Sequence, residues 1–318
     1  MKAAVRDRYG PPQVVGITEV PMPVTRKGEV LVRVQAAALT AADARIRAAR
    51  FPRGFAPFAR LAFGVRRPRN KVLGSCFSGT VHSVGEGVAA FAPGDEVCGT
   101  TGISMGAHAQ YLRVPAGRIL SKPTAVHHRD AAGMLFGGTT ALHYLRDKAS
   151  LASGAKVLVN GASGAVGTNA VQLAAYLGGT VTGVTSTGNM DLVSALGARH
   201  VIDYTCTALG EIAERFDIVL DTVGNINPSA GRTLLAHNGV LLLAVANLRE
   251  TVTAHGNVKV GPAPERVADM GTLLELMVNG HLVSVTDRVF DLADIVQAHE
   301  RVDSGRKVGN VIITPAGD

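Results

Sequence analysis

The chemistry in this chain is concentrated in one short passage, Lys156-Val-Leu-Val-Asn-Gly-Ala-Ser-Gly-Ala-Val-Gly-Thr168, where an apolar run enters a turn of small residues and then a helix. Ala162-x-Gly164-x-x-Gly167 is the dinucleotide fingerprint with its first glycine replaced by alanine. Gly164 lacks the Cβ that would hold a pyrophosphate off the backbone, and Gly167 lets the helix lie close to the strand that precedes it. Ser163, Ala165 and Val166 complete the bend. The helix start offers free N–H groups and the positive end of its dipole, so the chemistry implied is the seating of a dinucleotide.

Which dinucleotide follows from the end of the next strand, about 20 residues on, where a carboxylate would bond the ribose 2′-hydroxyl of NAD. Here the chain reads Val184-Thr-Ser-Thr-Gly-Asn-Met190. Ser186, Thr187 and Asn189 can donate to a 2′-phosphate, and no acid in the stretch repels it. NADPH is the expected cofactor; a plain polar turn is the other reading.

The elements around this passage alternate. Apolar strand candidates at 156–160, 180–184, 200–202, 217–221 and 240–245 have helical segments between them, the grammar of βαβ units and a parallel sheet covered on both faces. The first 120 residues read differently, as short β-rich runs (30–35, 79–84, 96–98, 109–115) broken by Gly and Pro, which suggests a barrel-like β unit. The tail from Glu265 offers a helix, a strand, a helix opening at Asp291 and a last strand from Asn310, and resembles the start more than the middle. The expected organisation is a doubly wound α/β domain, 124–264, inserted into a β domain made of 1–123 and 265–318.

Composition narrows the class. In 318 residues 47% are hydrophobic and 18% charged, enough for two soluble domains and too apolar for disorder. Cys76, Cys98 and Cys206 are odd in number and lack short spacing, so a disulfide framework and a Cys-x-x-Cys metal knuckle are both excluded and a reducing cytoplasm is expected. The uncharged run 157–190 contains seven glycines and reads as buried core, so no membrane partner is expected. The net charge of +7 is local: Arg45 to Lys71 holds nine basic residues and no acid, and the remainder carries −2. Phe51, Phe55, Phe58 and Phe63 interleave there, as in single-strand binders. A plain solvated surface loop is the first reading, steering of an anionic cofactor or a phosphate-bearing substrate the second, and nucleic acid the last.

Further runs stand in order along the chain: Met1-Lys-Ala-Ala-Val, Gly28-Glu-Val-Leu-Val-Arg-Val, Ala36-Ala-Ala-Leu-Thr-Ala-Ala-Asp43, Gly79-Thr-Val-His-Ser-Val-Gly-Glu-Gly-Val, Phe91-Ala-Pro-Gly-Asp-Glu-Val, Gly138-Thr-Thr-Ala-Leu and Leu196-Gly-Ala-Arg-His-Val-Ile-Asp-Tyr. With the glycine turn, they make nearly the whole chain resemble the medium-chain dehydrogenase/reductase superfamily, in its zinc-independent quinone oxidoreductase-like branch. That resemblance implies a Rossmann domain inserted into a GroES-like β-barrel catalytic domain, a nicotinamide held where the two meet, and a homodimer. By position, the backbone of Ser163 to Val166 would hold the pyrophosphate, Thr140 would lie by the nicotinamide half, and Ser186, Asn189 and Tyr204 would surround the 2′-phosphate. Val223, Val245, Ala246 and Asn310 join the cofactor contacts. Relatives often carry a basic residue where Gly188 stands and an Asn where Thr40 stands; Thr40 is the candidate catalytic position.

Zinc-dependent relatives supply a Cys, a Gly-His-Glu motif and a later Cys. The matching positions here are Thr40, Gly74-Ser75-Cys76 and the surroundings of Leu135, so no metal ligand set is expected. Without a metal to acidify an alcohol, hydride delivery to a quinone or an α,β-unsaturated carbonyl is the easier chemistry. An enoyl thioester is the rival acceptor, and an NADPH-binding redox sensor or RNA-associated protein is the competing class. The ten histidines are scattered, and Tyr111 and Tyr144 are read as packing residues.

Overall fold

The computed structural model describes residues 1–315. Its contacts divide the chain into two units, one of residues 1–51, 56–136 and Glu265 onward, the other of 52–55 and 137–264. The first boundary falls at Phe136/Gly137, beyond the 123/124 expected from sequence, because the third helix begins by burying Ala131, Ala132 and Leu135 in the core of the first unit.

In chain order the first unit opens with β1 (Lys2–Arg6) and β2 (Val15–Glu19), then β3 (Glu29–Leu39), α1 (Ala41–Ala48) and α2 (Ala56–Phe63). It continues through β4 (Cys76–Val84), β5 (Glu96–Thr100), β6 (Tyr111–Pro115), β7 (Ile119–Ser121) and into α3 (His128–Leu142). The second unit runs β8 (Lys156–Asn160), α4 (Ala165–Tyr176), β9 (Thr180–Thr185), α5 (Met190–Ala195), β10 (His200–Asp203), β11 (Phe216–Asp221), α6 (Pro228–Thr233), β12 (Leu235–Leu243), α7 (Leu248–Thr253) and β13 (Val258–Val260). The return to the first unit adds α8 (Val267–Val278), β14 (Thr286–Asp291), α9 (Ile295–Asp303) and β15 (Asn310–Thr314).

The first unit is built on β3. Its valines at 30, 32 and 34 alternate toward a core with Phe77, Val81, Val97, Leu112 and Val114. An irregularity in the β3–β4 register between Val34 and Ala36 then switches the alternation, so Ala36 and Ala38 face a second core with Ala131, Leu135, Met270, Leu274 and Ile312. One extra residue is enough for this, since side chains alternate with period two. The sheet order is β14-β15-β3-β4-β5-β7 with β6 also on β3, and β1 and β2 pair separately. The segment from Arg45 to Lys71, expected as a solvated loop, contains the second half of α1 and the whole of α2; Phe51 and Phe63 pack on Ile46, Leu73 and Met105.

The second unit is a six-stranded sheet in the order β10-β9-β8-β11-β12-β13, every neighbouring pair parallel. β8 to β12 are rich in Val, Leu and Ile, and Val157, Leu158, Val159, Val219, Leu220 and Leu241 are completely buried; each such side chain is worth about 1.5–3 kcal/mol of burial. β13 was not foreseen: three residues with a lysine in the middle carry too little pattern to read. The order places β8 where the chain reverses its direction of winding, and ligands of such sheets sit at the carboxyl ends of the strands at that point.

The first unit also buries charge. Arg6, Arg47, His108 and His299 are at most 1% exposed. Arg6 donates to the carbonyls of Ile46 (2.8 Å) and Arg47 (3.3 Å), Arg47 pairs with Asp303 (2.5 Å), and His108 Nε2 lies 3.1 Å from the Ala38 carbonyl oxygen. The rings of His108 and His299 are 6.3 Å apart, and neither nitrogen of His299 has a hydrogen-bond partner among the described residues. Burial, reinforced by His108, Arg47 and Arg6, holds the His299 imidazole well below its ordinary pKa. The neutral ring therefore contributes stability that is present above the unfolded value of about 6.5 and lost as the pH falls below it. Urea unfolding followed by circular dichroism is expected to show a lower midpoint at about pH 5 than at about pH 7, and His299→Leu, which leaves no hydrogen bond unmade, is expected to flatten that fall. An acid limb that the substitution leaves untouched would assign the effect elsewhere.

Candidate functional site

β8 ends at Asn160, and the chain turns at Gly161 with a φ of +80°, a conformation that favours glycine. A Cβ there would stand 2.6 Å from Thr222 Oγ1 and from Val223 Cγ2. The sharp bend thus belongs to Gly161, one residue before Ala162, which occupies the fingerprint's first place and is fully buried. Sequence reading passed over Gly161 because it lies outside the spacing of the motif.

The two fingerprint glycines do different work. A Cβ on Gly167 would lie 2.0 Å from the Gly161 carbonyl oxygen, so close packing of α4 on the turn requires glycine. A Cβ on Gly164 would meet that same oxygen at 3.4 Å and nothing else within 4 Å. Packing therefore leaves Gly164 free, and what a side chain there would fill is open space before the first turn of α4. The N-cap of that helix is Gly164, which has no side chain to cap it, so the leading N–H groups are left to water or an anion. Ser163, Gly164, Ala165 and Val166 are half-buried, within reach of a ligand. These residues fit a dinucleotide's diphosphate.

The end of β9 closes on the same turn. Thr185 Oγ1 donates to Ser163 Oγ (2.9 Å), and Asn189 Nδ2 donates to Ser163 Oγ (3.3 Å) and Ser186 Oγ (3.1 Å), which gathers Ser163, Ser186 and Asn189 into one polar cluster. Thr187 faces elsewhere: its hydroxyl donates to Asp203 Oδ2. Asp203, at the end of β10, also accepts from the Thr205 N–H (2.9 Å) and hydroxyl (2.7 Å). The hydrogen bond from Thr187, followed by those from Thr205, holds this carboxyl below its usual pKa. The loop 184–190 has no acid of its own, and Asp203 is brought against it by the neighbouring strand, a pairing only the sheet order reveals. Tyr204 follows it and is exposed.

On the other side of β8, Asp221 at the end of β11 is completely buried. Its carboxylate accepts from Asn160 Nδ2 (2.9 Å) and from the backbone N–H groups of Val223 (2.9 Å), Gly224 (3.1 Å) and Ile226 (3.0 Å), which fixes the loop after the strand. Gly224, at φ +90°, leaves room for Val245, whose Cγ1 would stand 2.8 Å from a Cβ there. Val223, Val245 and Ala246 are thereby brought to the carboxyl ends of β11 and β12. Gly137 on α3 passes so close to α4 that its Cβ would stand 2.2 Å from the Ala165 carbonyl oxygen, and half-buried Thr140 lies three residues further on. Neither Asp221 nor Gly137 was singled out from sequence.

The Alcohol dehydrogenase GroES-like domain family matches residues 26–124, and the Zinc-binding dehydrogenase family matches residues 196–313. The chain is 29% identical over 331 residues to 2-methylene-furan-3-one reductase of Solanum lycopersicum, covering 99% of this chain and 79% of that one. It is 29% identical over 341 residues to the chloroplastic Quinone-oxidoreductase QR1 of Triphysaria versicolor, covering 99% and 98%. Among solved structures, the quinone oxidoreductase from Coxiella burnetii superposes with a TM-score of 0.89 at 28% identity over 99% of both chains. The chain belongs to the medium-chain dehydrogenase/reductase superfamily, among its quinone oxidoreductase-like members. The first unit is accordingly the GroES-like domain and the second the Rossmann domain, a fold of nicotinamide-dependent oxidoreductases.

In this superfamily member the remaining expected site residues have structural employment. Thr40 caps α1: its hydroxyl donates to Asp43 Oδ2 (2.6 Å) and accepts from the Asp43 N–H (3.2 Å), so both of its hydrogen-bonding functions are taken within the helix cap. Asn310 is buried and donates through Nδ2 to the Val285 carbonyl (3.0 Å). The Tyr144 hydroxyl donates to the carbonyls of Leu243 (3.0 Å) and Gly261 (2.6 Å), and burial pushes its pKa up, which removes it as an acid. Burial also pushes the Cys76 thiol up to about 12. Among the described residues, no three of His, Cys, Asp and Glu stand together as a metal site, and no helix is long and apolar enough to cross a membrane.

Proposed function

We propose that the protein reduces a quinone or an α,β-unsaturated carbonyl at the expense of NADPH, without zinc. The observation that carries this reading is the uncapped start of α4 behind Gly164, where the chain leaves room for a diphosphate that its own packing does not fill. When bound there, the reduced nicotinamide supplies a hydride. The backbone from Ser163 to Val166 would hold the diphosphate, and Ser186 and Asn189, already hydrogen-bonded to each other, with Asn189 also on Ser163, would receive the adenosine ribose end. Thr140, Val223, Val245 and Ala246 would line the remainder of the coenzyme. A quinone or enone accepts hydride at carbon and disperses the charge onto oxygen, and water can then protonate it, so no dedicated side-chain acid is required. The names of the relatives, a quinone oxidoreductase and a furanone reductase, agree with such acceptors.

Zinc is left out because of the donor chemistry. Thr40 is committed to Asp43, and Cys76 is a buried, protonated thiol. The reading also takes the protein as a homodimer, and as one of the cytoplasm because its cysteines are odd in number and lack short spacing. Initial rates of NADPH oxidation with a quinone, an enone and an enoyl thioester test it: turnover with the first or second is expected, and tight NADPH binding with no turnover on any acceptor would replace it with a coenzyme-sensing role.

Asp203 bears on coenzyme choice. Its negative charge, already engaged by Thr187 and by two donors of Thr205, reduces the preference for a 2′-phosphate that Ser186 and Asn189 confer without reversing it. Asp203→Asn is expected to tighten NADPH binding about fivefold relative to NADH, measured by titration calorimetry, an effect of the size of one exposed charge. Equal changes for the two coenzymes would place Asp203 outside the adenosine pocket.

A further inference from the structure

The segment after α1 presents an apolar surface that the GroES-like domain does not use. α2 buries none of its residues. Phe58 and Leu61, one helical turn apart, are 63% and 65% exposed, and Val65 just beyond the helix is 58% exposed. Ile103 joins them from another loop: it is 74% exposed, and its carbonyl accepts from Asn70 Nδ2 (2.9 Å). Four large aliphatic or aromatic side chains are thus left in water on neighbouring segments.

These segments are held in place. The Tyr9 hydroxyl donates to the carbonyls of Phe63 (3.0 Å) and Gly64 (2.7 Å), Arg60 lies over the Tyr9 ring and donates to the Val65 carbonyl (2.8 Å), and Phe51 stacks on Phe63 with centroids 6.1 Å apart. A Cβ on Gly64 would stand 2.0 Å from the Arg67 carbonyl oxygen, which fixes the turn that follows. The apolar side chains are therefore presented by a defined backbone.

The excess charge around them is positive. Lys71 is neutralised by Asp7 at 2.6 Å, and Arg47 and Arg50 share Asp303. Arg66, Arg67 and Arg69 are exposed; Asp7, already bound to Lys71, is within electrostatic reach of Arg67, and no ion pair of Arg66 or Arg69 occurs among the described residues. A second copy of the chain is a poor occupant, because a two-fold contact would set these arginines against their own counterparts. A nucleic acid is also poorly matched: bases stack on open rings, yet Phe51 and Phe63 cover each other and only Phe58 is fully presented, while Leu61, Val65 and Ile103 offer nothing to a base.

We propose that α2 and the turn after it dock on an anionic lipid surface, with Phe58, Leu61, Val65 and Ile103 entering the headgroup boundary and Arg66, Arg67 and Arg69 meeting the phosphates. Apolar side chains flanked by arginines are what such an interface selects. Lack of a membrane-crossing helix does not bear on this, since the protein would lie on the bilayer. None of these residues belongs to the nucleotide turn, so the proposal stands or falls independently of the coenzyme reading.

The test is cosedimentation of the full chain with vesicles of phosphatidylcholine alone and of phosphatidylcholine with phosphatidylglycerol, with a single-stranded oligonucleotide titrated in parallel. Binding is expected only to the anionic vesicles, weakened by salt. The double variant Arg66→Gln, Arg67→Gln is expected to weaken it roughly 30-fold, about fivefold for each charge. Phe58→Ser with Leu61→Ser is expected to weaken it at least about tenfold; Leu61→Ser alone serves if the pair does not fold by circular dichroism. No binding to anionic vesicles overturns the proposal. So does vesicle binding indifferent to the apolar variants, which is adsorption by charge alone, or a preference for the oligonucleotide.

Discussion

Gly164→Ala is expected to leave the fold intact while weakening NADPH binding at least about tenfold, and Gly167→Ala is expected to destabilise the Rossmann domain by about 3 kcal/mol. The contrast follows from what each added methyl would meet. At Gly164 the nearest atom is a carbonyl oxygen at 3.4 Å, an ordinary contact. The loss of glycine at a helix N-cap and the stiffening of the unfolded chain offset one another to within about 1 kcal/mol. The methyl then stands where the diphosphate must approach the backbone. At Gly167 the obstacle is the Gly161 carbonyl oxygen at 2.0 Å, backbone against backbone, and α4 must move away from β8 to relieve it. Urea unfolding and calorimetric titration of both variants separate the two effects. Unchanged affinity in folded Gly164→Ala would remove the turn from coenzyme binding.

Asp221→Ala has the second large effect, an expected loss of about 4 kcal/mol. The carboxylate is completely buried and accepts from three backbone N–H groups and Asn160. Of these donors Asn160 and Ile226 are buried, and each buried donor left without an acceptor costs about 1–3 kcal/mol. Asp221→Asn keeps one oxygen acceptor and is expected to cost about half as much. Because the carboxylate fixes Val223 and Gly224, both variants are also expected to lose coenzyme affinity, more steeply in the alanine variant. Urea midpoints equal to the parent's would show that the loop holds itself without the acid.

The parts legible in the sequence were those with a local cause. β8 was read at its observed bounds because an apolar run ends abruptly in small residues, and α4 because its small apolar residues recur at helical spacing until Gly178. The quinone oxidoreductase-like resemblance rested on ordered runs spread over the whole chain, which is why it survives comparison with full-length relatives. What escaped were roles set by a neighbour remote in the chain. Gly161 matters because Thr222 and Val223 crowd it, Gly137 because the Ala165 carbonyl does, and Asp203 because its strand is adjacent to the one that ends at Thr185. Thr40 shows the converse: aligned with an Asn of relatives, it is engaged by an acid only three residues away. The Arg45 to Lys71 stretch was read as loop since its arginines mask the short helical pattern of 56–63.

The most direct test is a crystal of the protein soaked with NADPH. The coenzyme's diphosphate is expected on the backbone N–H groups at the start of α4, against Gly164, with its adenosine ribose beside Ser186 and Asn189. A diphosphate seated away from this bend, with the α4 N-terminus left to solvent, would contradict the account.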